Sequence, residues 1–421
     1  MRIPSSERIA CIVDGYSTGT DLSIALKELG WTVVHVQSAK RPPLAFAKSF
    51  NRSLFDAHLL LAEMGYKRLV AQLLELNPEL VIAGSEPGVE LADALNTALG
   101  LQGNSPLTSI RRRNKFHMSQ SLSECGLDAV DQHLVTNREQ LIKAIECLGL
   151  YPIVVKPVDA MGSENVRVCH EIEEAVAAFE AILGKTNFIG SINSAALVQE
   201  YLQGDQYVVN AVSVDGQHRI TEIWHERRLN IRGVGNLYDY ETLLPYEGDT
   251  QRRLIEYTCQ VLNALELREG PSHSEIMLTP RGPVLIETGA RMQGGIVSAP
   301  IIEAIGDSHM TMTLKRYLNP QAFLQSINDA YTLSINVRVV NLIMDRAGTV
   351  KENNCHKLLA TLPSFRMIAR TPDIGSRVPK TIDLATKVGH IYLMHENLEQ
   401  LDWDYRRVRD WEKKRKLIAL E

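Results

Sequence analysis

The sequence predicts an α/β protein in several units, a doubly wound parallel sheet first and antiparallel sheets after it. Three observations carry this expectation. Over the first hundred residues, short apolar runs alternate with amphipathic stretches, the pattern of βαβ units around a parallel sheet. Next, two apolar runs, Pro152–Lys156 and Val166–Cys169, flank a polar loop containing glycine. Beyond residue 196, Ala196–Tyr201, Tyr207–Val214 and Arg219–Trp224 follow one another closely, which favours antiparallel pairing.

The chain has 421 residues. At roughly 150 residues per domain it holds about three domains or subdomains. It can bury a core without disulfides or structural metal. Apolar residues make up 45% and charged residues 23%, which excludes a disordered, collagen-like or membrane-bundle protein. A net charge of −5 offers no electrostatic case for nucleic acid. The six cysteines (Cys11, Cys125, Cys147, Cys169, Cys259 and Cys355) form no CxxC pair and read as reduced thiols. Met1–Glu7 lacks the apolar core of a signal peptide, and no window nears about 18 uncharged apolar residues. A cytoplasmic protein without membrane partners is expected.

Taken in order, Arg8–Val13 is a buried strand broken at Asp14-Gly15-Tyr16-Ser17-Thr18-Gly19. A helix over Asp21–Gly30 and a strand over Thr32–Val36 follow. Leu54–Leu76 has the apolar spacing of one long amphipathic helix. Leu80–Ala83 is the next strand, followed by Gly84-Ser85-Glu86-Pro87-Gly88 and a helix through Leu99. Ligands in such sheets bind beyond the carboxyl ends of the strands. Tyr16, Ser85 and Glu86 are therefore candidate substrate contacts, and Glu86 suits an amino group. Arg111-Arg112-Arg113 leads into a helix at Asn114–Cys125, and Glu171–Leu183 is helical. Further on come a helix at Leu254–Leu265, strands at Leu333–Leu342 and Thr386–Leu393, and a charged terminal helix. Its Arg406–Lys416 run reads as a solvated face. His225, Arg227, Arg228 and Tyr238, after the central strands, are further substrate candidates.

The most informative stretch runs from His273 to Arg291. Pro280-Arg281-Gly282 suits a three-residue hairpin loop, with Gly282 in a left-handed position. That loop pairs Thr279 with Pro283 and sets Glu275 opposite Glu287. Alternation places His273, Glu275, Glu287, Gly289 and Arg291 on one face, and Ile276, Leu278, Ile286 and Thr288 on the other. Facing carboxylates repel. A divalent cation with hard oxygen ligands compensates, and magnesium takes one or two carboxylates plus phosphate oxygens. Arg291 adds a planar donor fork for phosphate or carboxylate.

Lys156 closes an apolar strand before Pro157-Val158-Asp159-Ala160-Met161-Gly162-Ser163, a flexible loop whose amides suit a phosphate. It is not a P-loop, and no GxGxxG follows the first strand. Lys115 starts a helix. Gln199-Glu200-Tyr201-Leu202-Gln203-Gly204-Asp205-Gln206 joins two strands, where an extended backbone suits an adenine edge and a polar side chain can reach ribose hydroxyls.

Together and in this order, these pieces resemble the ATP-grasp superfamily over roughly residues 110–310. Gly270-Pro271-Ser272-His273-Ser274-Glu275 and Glu287-Thr288-Gly289-Ala290-Arg291 resemble, within it, carboxylate–amine ligases of the L-amino acid (dipeptide-forming) type. The resemblance implies a Rossmann-like domain over 1–110, a small lid subdomain over 111–195, a large subdomain with the metal site over 196–330 and a C-terminal subdomain over 331–421. It implies phosphate contacts from Lys115, Lys156, Gly162 and Ser163, an adenine hinge at Gln199, Glu200, Tyr201 and Leu202, and ribose contacts from Asp205 or Gln206. Glu275 and Glu287 would bind magnesium, with manganese as a substitute. Arg291 would stabilise the transferring phosphoryl group, and Gly294 and Gly295 would cradle a substrate carboxylate. His273 is a candidate base. Arg227 and Tyr238 join Tyr16, Ser85 and Glu86 as substrate candidates.

The sequence departs from the pattern twice. The usual Glu-x-Asn-x-Arg has Gly289 in place of the asparagine, and the ribose position, often glutamate, is Gln206. The implied reaction joins two amino acids, or an amino acid and a related amine, through an acyl phosphate, with ADP and phosphate released. The alternatives are a ligase for another acid or a carrier-protein thiol, and an inert nucleotide-binding scaffold. Small molecules are the expected partners, and a homodimer is compatible with this organisation.

Overall fold

The computed structural model describes residues 8–44, 46–159, 162–231, 235–384 and 386–421. Met1–Glu7, and Ala160 and Met161 of the glycine loop, lie outside the described residues.

β1 (Ile9–Val13), β2 (Thr32–Gln37), β3 (Ala57–Leu60) and β4 (Leu80–Ala83) form a parallel sheet in the order β3-β2-β1-β4. β1 and β2 are buried along their whole length, which explains their unbroken apolar runs. One face of the sheet packs Cys11, Val13 and Val34 against Leu69, Leu73 and Leu95. The other packs Ala10, Ile12 and Val33 against Leu22, Leu26 and Trp31, and also reaches Met292 and Met310 far along the chain. The sheet is thus covered by helices on both sides. The loops after β1 and β4 touch: a Cβ on Gly19 would lie 2.4 Å from the Gly84 carbonyl oxygen, so neither loop tolerates a side chain there.

Leu54–Leu76 is not one helix. Ala57–Leu60 extends and pairs with β2, Val34 opposite Ala57 and Gln37 opposite Leu60. Helices at Leu61–Met64 and Tyr66–Leu76 follow, divided by Gly65 at φ +73°. Pairing along the open edge of β2 overrides the helical apolar spacing of this segment.

β5 (Gln132–Val135), β6 (Ile153–Pro157), β7 (Arg167–Cys169) and β8 (Ala196–Glu200) form an antiparallel sheet in the order β5-β8-β6-β7. Helices Arg138–Leu148 and Ile172–Ile182 pack on it through Leu141, Ile145, Phe179 and Ile182. β5 and the helix Arg138–Leu148 have no counterpart in the sequence reading. β5 is a four-residue edge strand with polar Gln132 and His133, and a strand that short carries little periodicity.

The largest sheet joins β9 (Asp205–Val214), β10 (Gln217–Ile231), β11 (Gly235–Leu243), β12 (Gly270–Thr279), β13 (Gly282–Gly289), β14 (Asn336–Leu342), β16 (Phe365–Arg370) and β18 (Gly389–His395). Their order is β13-β12-β9-β10-β11-β14-β18-β16. A small sheet holds β15 (Gly348–Asn353), β17 (Arg377–Val378) and β19 (Ile418–Leu420). The pairing of β11 with β14, Tyr240 opposite Val340, carries the large sheet past residue 330 without interruption.

The three consecutive arginines go to three places. Arg111 makes an exposed pair with Glu266. Arg112 is fully buried and donates to Asp93 (2.9 Å) and to the carbonyls of Ser105, Leu265 and Glu266. Arg113 binds Glu86 and Asp159. In the terminal helix Leu398–Lys413, Arg409 departs from the solvated reading, because it donates to the buried Asp239. The six cysteines are free, and among the described residues no helix is long and apolar enough to cross a membrane.

Arg112→Met leaves the Asp93 carboxylate buried and unpaired. It is expected to lower stability by about 3–5 kcal/mol, read from urea unfolding of the two proteins.

Candidate active site

The β12–β13 hairpin places Glu275 directly opposite Glu287, as the spacing predicts, by a different route. Thr279 pairs with Gly282 across a two-residue turn, and a bulge between the Glu275 and Ile276 pairings restores the register. Ile276 and Leu285 enter the core. The bulge moves Ile286, expected on the core face, into the wall of a cavity beside Glu287.

Two cavities meet at these carboxylates. The first, of about 1130 Å³, lies between the β5–β8 sheet and the large sheet. Lys115, Lys156, Gly162, Ser163, Gln199, Glu200, Tyr201, Leu202 and Gln206 all line it. Lys115 sits in the first turn of helix Lys115–Glu124, which is capped by the Asn114 side chain accepting from the Phe116 and His117 amides. Its Nζ lies 3.1 Å from Glu287 Oε2. Gln199 spends its amide on Gln132 (2.7 Å), and the Glu200 carboxylate binds Arg281 and the Asp131 amide. The hinge therefore offers backbone rather than these two side chains.

Arg228 ties the glycine loop to the carboxylates. Its guanidinium donates to Glu226 Oε1 (2.6 Å), to Ser163 Oγ (2.7 Å) and to Glu275 Oε2 (3.3 Å), and lies 3.9 Å over the Tyr238 ring. Gln206 Nε2 also donates to Glu275 Oε2 (2.9 Å). Burial alone would raise Glu275, but the His273 contact and the Arg228 guanidinium hold it down to about 2. Glu226 and the pivotal role of Arg228 escape the sequence reading. The signal was present in the alternation Glu222, Trp224, Glu226, Arg228, a row of side chains on one face of β10.

The second cavity, of about 1500 Å³, shares Gly162, Tyr238, Glu275 and Glu287 with the first. Ser85, Glu86, His273, Arg291, Gly294 and Gly295 line it. Glu86, expected to receive a substrate amine, is engaged on both oxygens instead. Oε1 accepts from Arg113 (2.6 Å) and Oε2 from Arg291 Nε (2.8 Å). Gly289 makes this pairing possible: a Cβ there would lie 2.8 Å from Glu86 Oε2 and 3.1 Å from Arg291 Cζ. The missing asparagine is thus the space that the Glu86–Arg291 pair occupies.

A buried polar chain orients His273. Asn210 donates to Glu222 (2.9 Å) and to Gln293 Oε1 (2.7 Å), which turns its carbonyl oxygen toward His273 Nδ1 (3.0 Å). Gln293 in turn donates to Glu241 (2.9 Å). With Nδ1 committed to Asn210, Nε2 is the ring nitrogen turned toward Glu275 Oε1, 3.8 Å away.

Four expected residues stay out of both cavities, among them His225, which packs against the Tyr207 ring at 5.2 Å. Asp205 is mostly exposed, 3.8 Å from His225, so only Gln206 of that pair faces the first cavity. Arg227 points to solvent over Tyr240. Tyr16 is completely buried in an aromatic cluster, stacked on Phe46 at 5.5 Å, and its neighbours Ser17 and Thr18 line the second cavity.

The ATP-grasp domain family matches residues 150–300. Dapdiamide A synthase of Enterobacter agglomerans is 32% identical over 98% of this chain and 97% of its own length. The L-arginine-specific L-amino acid ligase of Bacillus subtilis is 22% identical over 56% of this chain and 57% of that protein. The crystal structure of an L-amino acid ligase from Bacillus licheniformis superposes with a TM-score of 0.76, covering 99% of this chain and 100% of that one at 17% identity. The chain belongs to the ATP-grasp family of ligases.

Burial, then the nearby Lys115 ammonium, push Lys156 down to about 8 against the pull of Glu287 and Glu275. Near pH 8.5 most of this lysine is neutral before nucleotide binds, and a triphosphate beside it favours the charged form. ATP binding is therefore expected to take up protons at that pH, measured by calorimetry in buffers of different ionisation enthalpy. Proton release, or no exchange, contradicts the placement.

Proposed function

We propose that the protein joins the carboxylate of one amino acid to the amino group of another, converting ATP to ADP and phosphate. The observation that carries this reading is the meeting of two cavities at Glu275 and Glu287, one lined by the lysines and hinge and the other by Arg291 and the paired glycines.

In this reading the backbone of residues 199–202 holds the adenine and Gln206 faces the ribose. Lys115 and Lys156, with the Gly162–Ser163 loop, neutralise and orient the phosphates. The donor set fits a divalent cation. Glu275 and Glu287, already balanced by Arg228 and Lys115, would serve as hard oxygen ligands, with nucleotide oxygens as the remaining ones. When bound, that ion, magnesium or manganese, would neutralise the charge building on the phosphates.

The substrate carboxylate oxygen attacks the γ-phosphorus, the bond to the β-phosphate oxygen breaks, and ADP leaves with an acyl phosphate remaining. The amine nitrogen then attacks the acyl carbon, the carbon–oxygen bond to phosphate breaks, and the nitrogen gives up a proton. Arg291, fixed by Glu86, faces the phosphoryl group in transit. His273 Nε2 stands ready to take the proton, its tautomer set by Asn210. Gly294 and Gly295 offer backbone amides to the reacting carboxylate.

Incubating the protein with ATP, magnesium and pairs of the twenty amino acids should give amino-acid-dependent phosphate and a dipeptide mass. Phosphate without a dipeptide would move the reading to another acceptor, and no nucleotide binding would leave an inert scaffold. Glu287→Ala should lower turnover about 10²–10³-fold or more. Gly289→Asn, which refills the space used by Glu86 and Arg291, should lower kcat by roughly 10²-fold while leaving the nucleotide Kd nearly unchanged.

A further inference from the structure

The far wall of the second cavity comes from the C-terminal part of the chain, and it is rich in donors without partners. Strand register brings them together. Asn341 on β14 lies directly opposite His390 on β18, and His390 lies opposite Arg370 on β16. Lys387 precedes β18, and all four residues line the cavity. Asn341 is 3% exposed and His390 7% exposed. Among the described residues the Asn341 carboxamide and the Arg370 guanidinium make no hydrogen bond or ion pair, and the Lys387 ammonium faces Glu241 without closing a salt bridge to it. His390 faces the Gly295 backbone without closing a hydrogen bond to it.

Buried polar groups without partners are costly and rare in native proteins. Asn341 and His390, buried opposite each other on a cavity wall with half-buried Lys387 and exposed Arg370 beside them, mark a place where a ligand supplies the missing acceptor. Two of them are cationic and all can donate, so the missing partner is an anion with planar acceptor oxygens. Arg291, the other cation of this cavity, is already engaged by Glu86. Glu241 lies on the same cavity and faces Lys387, and Glu226 is already held by Arg228.

We propose that Arg370, Lys387, Asn341 and His390 form the subsite for the free α-carboxylate of the amine-donating amino acid. This rests on the ligase reading above and adds to it the class of acceptor: a free amino acid, selected over its carboxyl-blocked derivatives. The subsite holds the carboxylate that must not react at the wall opposite the phosphates, so that only the amino group reaches the acyl carbon. The segment that carries Lys387 also touches the glycine loop, since the Leu384 amide donates to the Gly162 carbonyl (3.3 Å).

The test compares free amino acids with their C-terminal amides as acceptors. An amide has no carboxylate to phosphorylate, so it serves only as the amine. For the wild type, kcat/KM should favour the free acid by about 10- to 100-fold. Lys387→Met and Arg370→Gln should each lose most of that preference by raising the KM of the acid, while the amide, ATP and acyl-donor parameters change little. Arg370 is exposed and makes no hydrogen bond, so its variant keeps the test sound if Lys387→Met fails to fold. Equal use of acid and amide by the wild type, or an undiminished preference in both variants, overturns the proposal. If no pair yields an amide product, the ligase reading fails by itself. Calorimetric binding of acids against amides, with a non-hydrolysable ATP analogue present, then decides the subsite by the same comparison.

Discussion

Two carboxylates placed face to face on neighbouring strands are the constraint around which the site is built. Left alone, Glu275 and Glu287 would push the β12–β13 hairpin apart. Each is balanced from a different element, Glu287 by Lys115 at a helix start and Glu275 by Arg228 and Gln206 from the adjoining strands. Because Arg228 also grips Ser163, the same charges that steady the hairpin hold the glycine loop near it. In the proposed reading these cations are the groups that meet the nucleotide phosphates.

A second buried charge, Glu86, joins units that are distant in sequence. It comes from the loop after β4 and is held by Arg113, which leads into the lysine-bearing helix, and by Arg291, which follows the hairpin. Despite full burial it is held below the usual carboxylate range, by Arg291 first and then Arg113. Removing either arginine would leave a buried carboxylate half satisfied, which explains why an acid sits at the expected substrate position without being free to bind substrate. Gly289 is the steric condition for this arrangement, so the departure from the usual metal-ligand asparagine and the engagement of Glu86 are one feature.

Much of this was legible in the sequence where chemistry repeats with a strand's period of two. The paired carboxylates fall where alternation puts them, and Lys156 and the hinge stretch lie at strand ends, as their flanking apolar runs predict. The hairpin is instructive: a three-residue loop and a two-residue turn with a bulge both set Glu275 against Glu287, so the pairing was read correctly from an incorrect turn, and the exchanged faces of Leu285 and Ile286 reveal the difference. Leu54–Leu76 was misread because the free edge of β2 decides its structure and lies elsewhere in the chain. Neither the separate fates of Arg111, Arg112 and Arg113 nor the engagement of Glu86 has a local signal, since each depends on partners far along the sequence. The C-terminal wall, with Asn341, Lys387 and His390, is hidden for the same reason.

The central claim is that the substrate carboxylate is activated by direct attack on the γ-phosphate. It is tested most directly by labelling that carboxylate with ¹⁸O and measuring the isotopic mass of the released phosphate. An acyl phosphate requires one labelled oxygen to appear in the phosphate for each amide bond formed, with ADP as the other product. Unlabelled phosphate, or label recovered in AMP, would contradict the account.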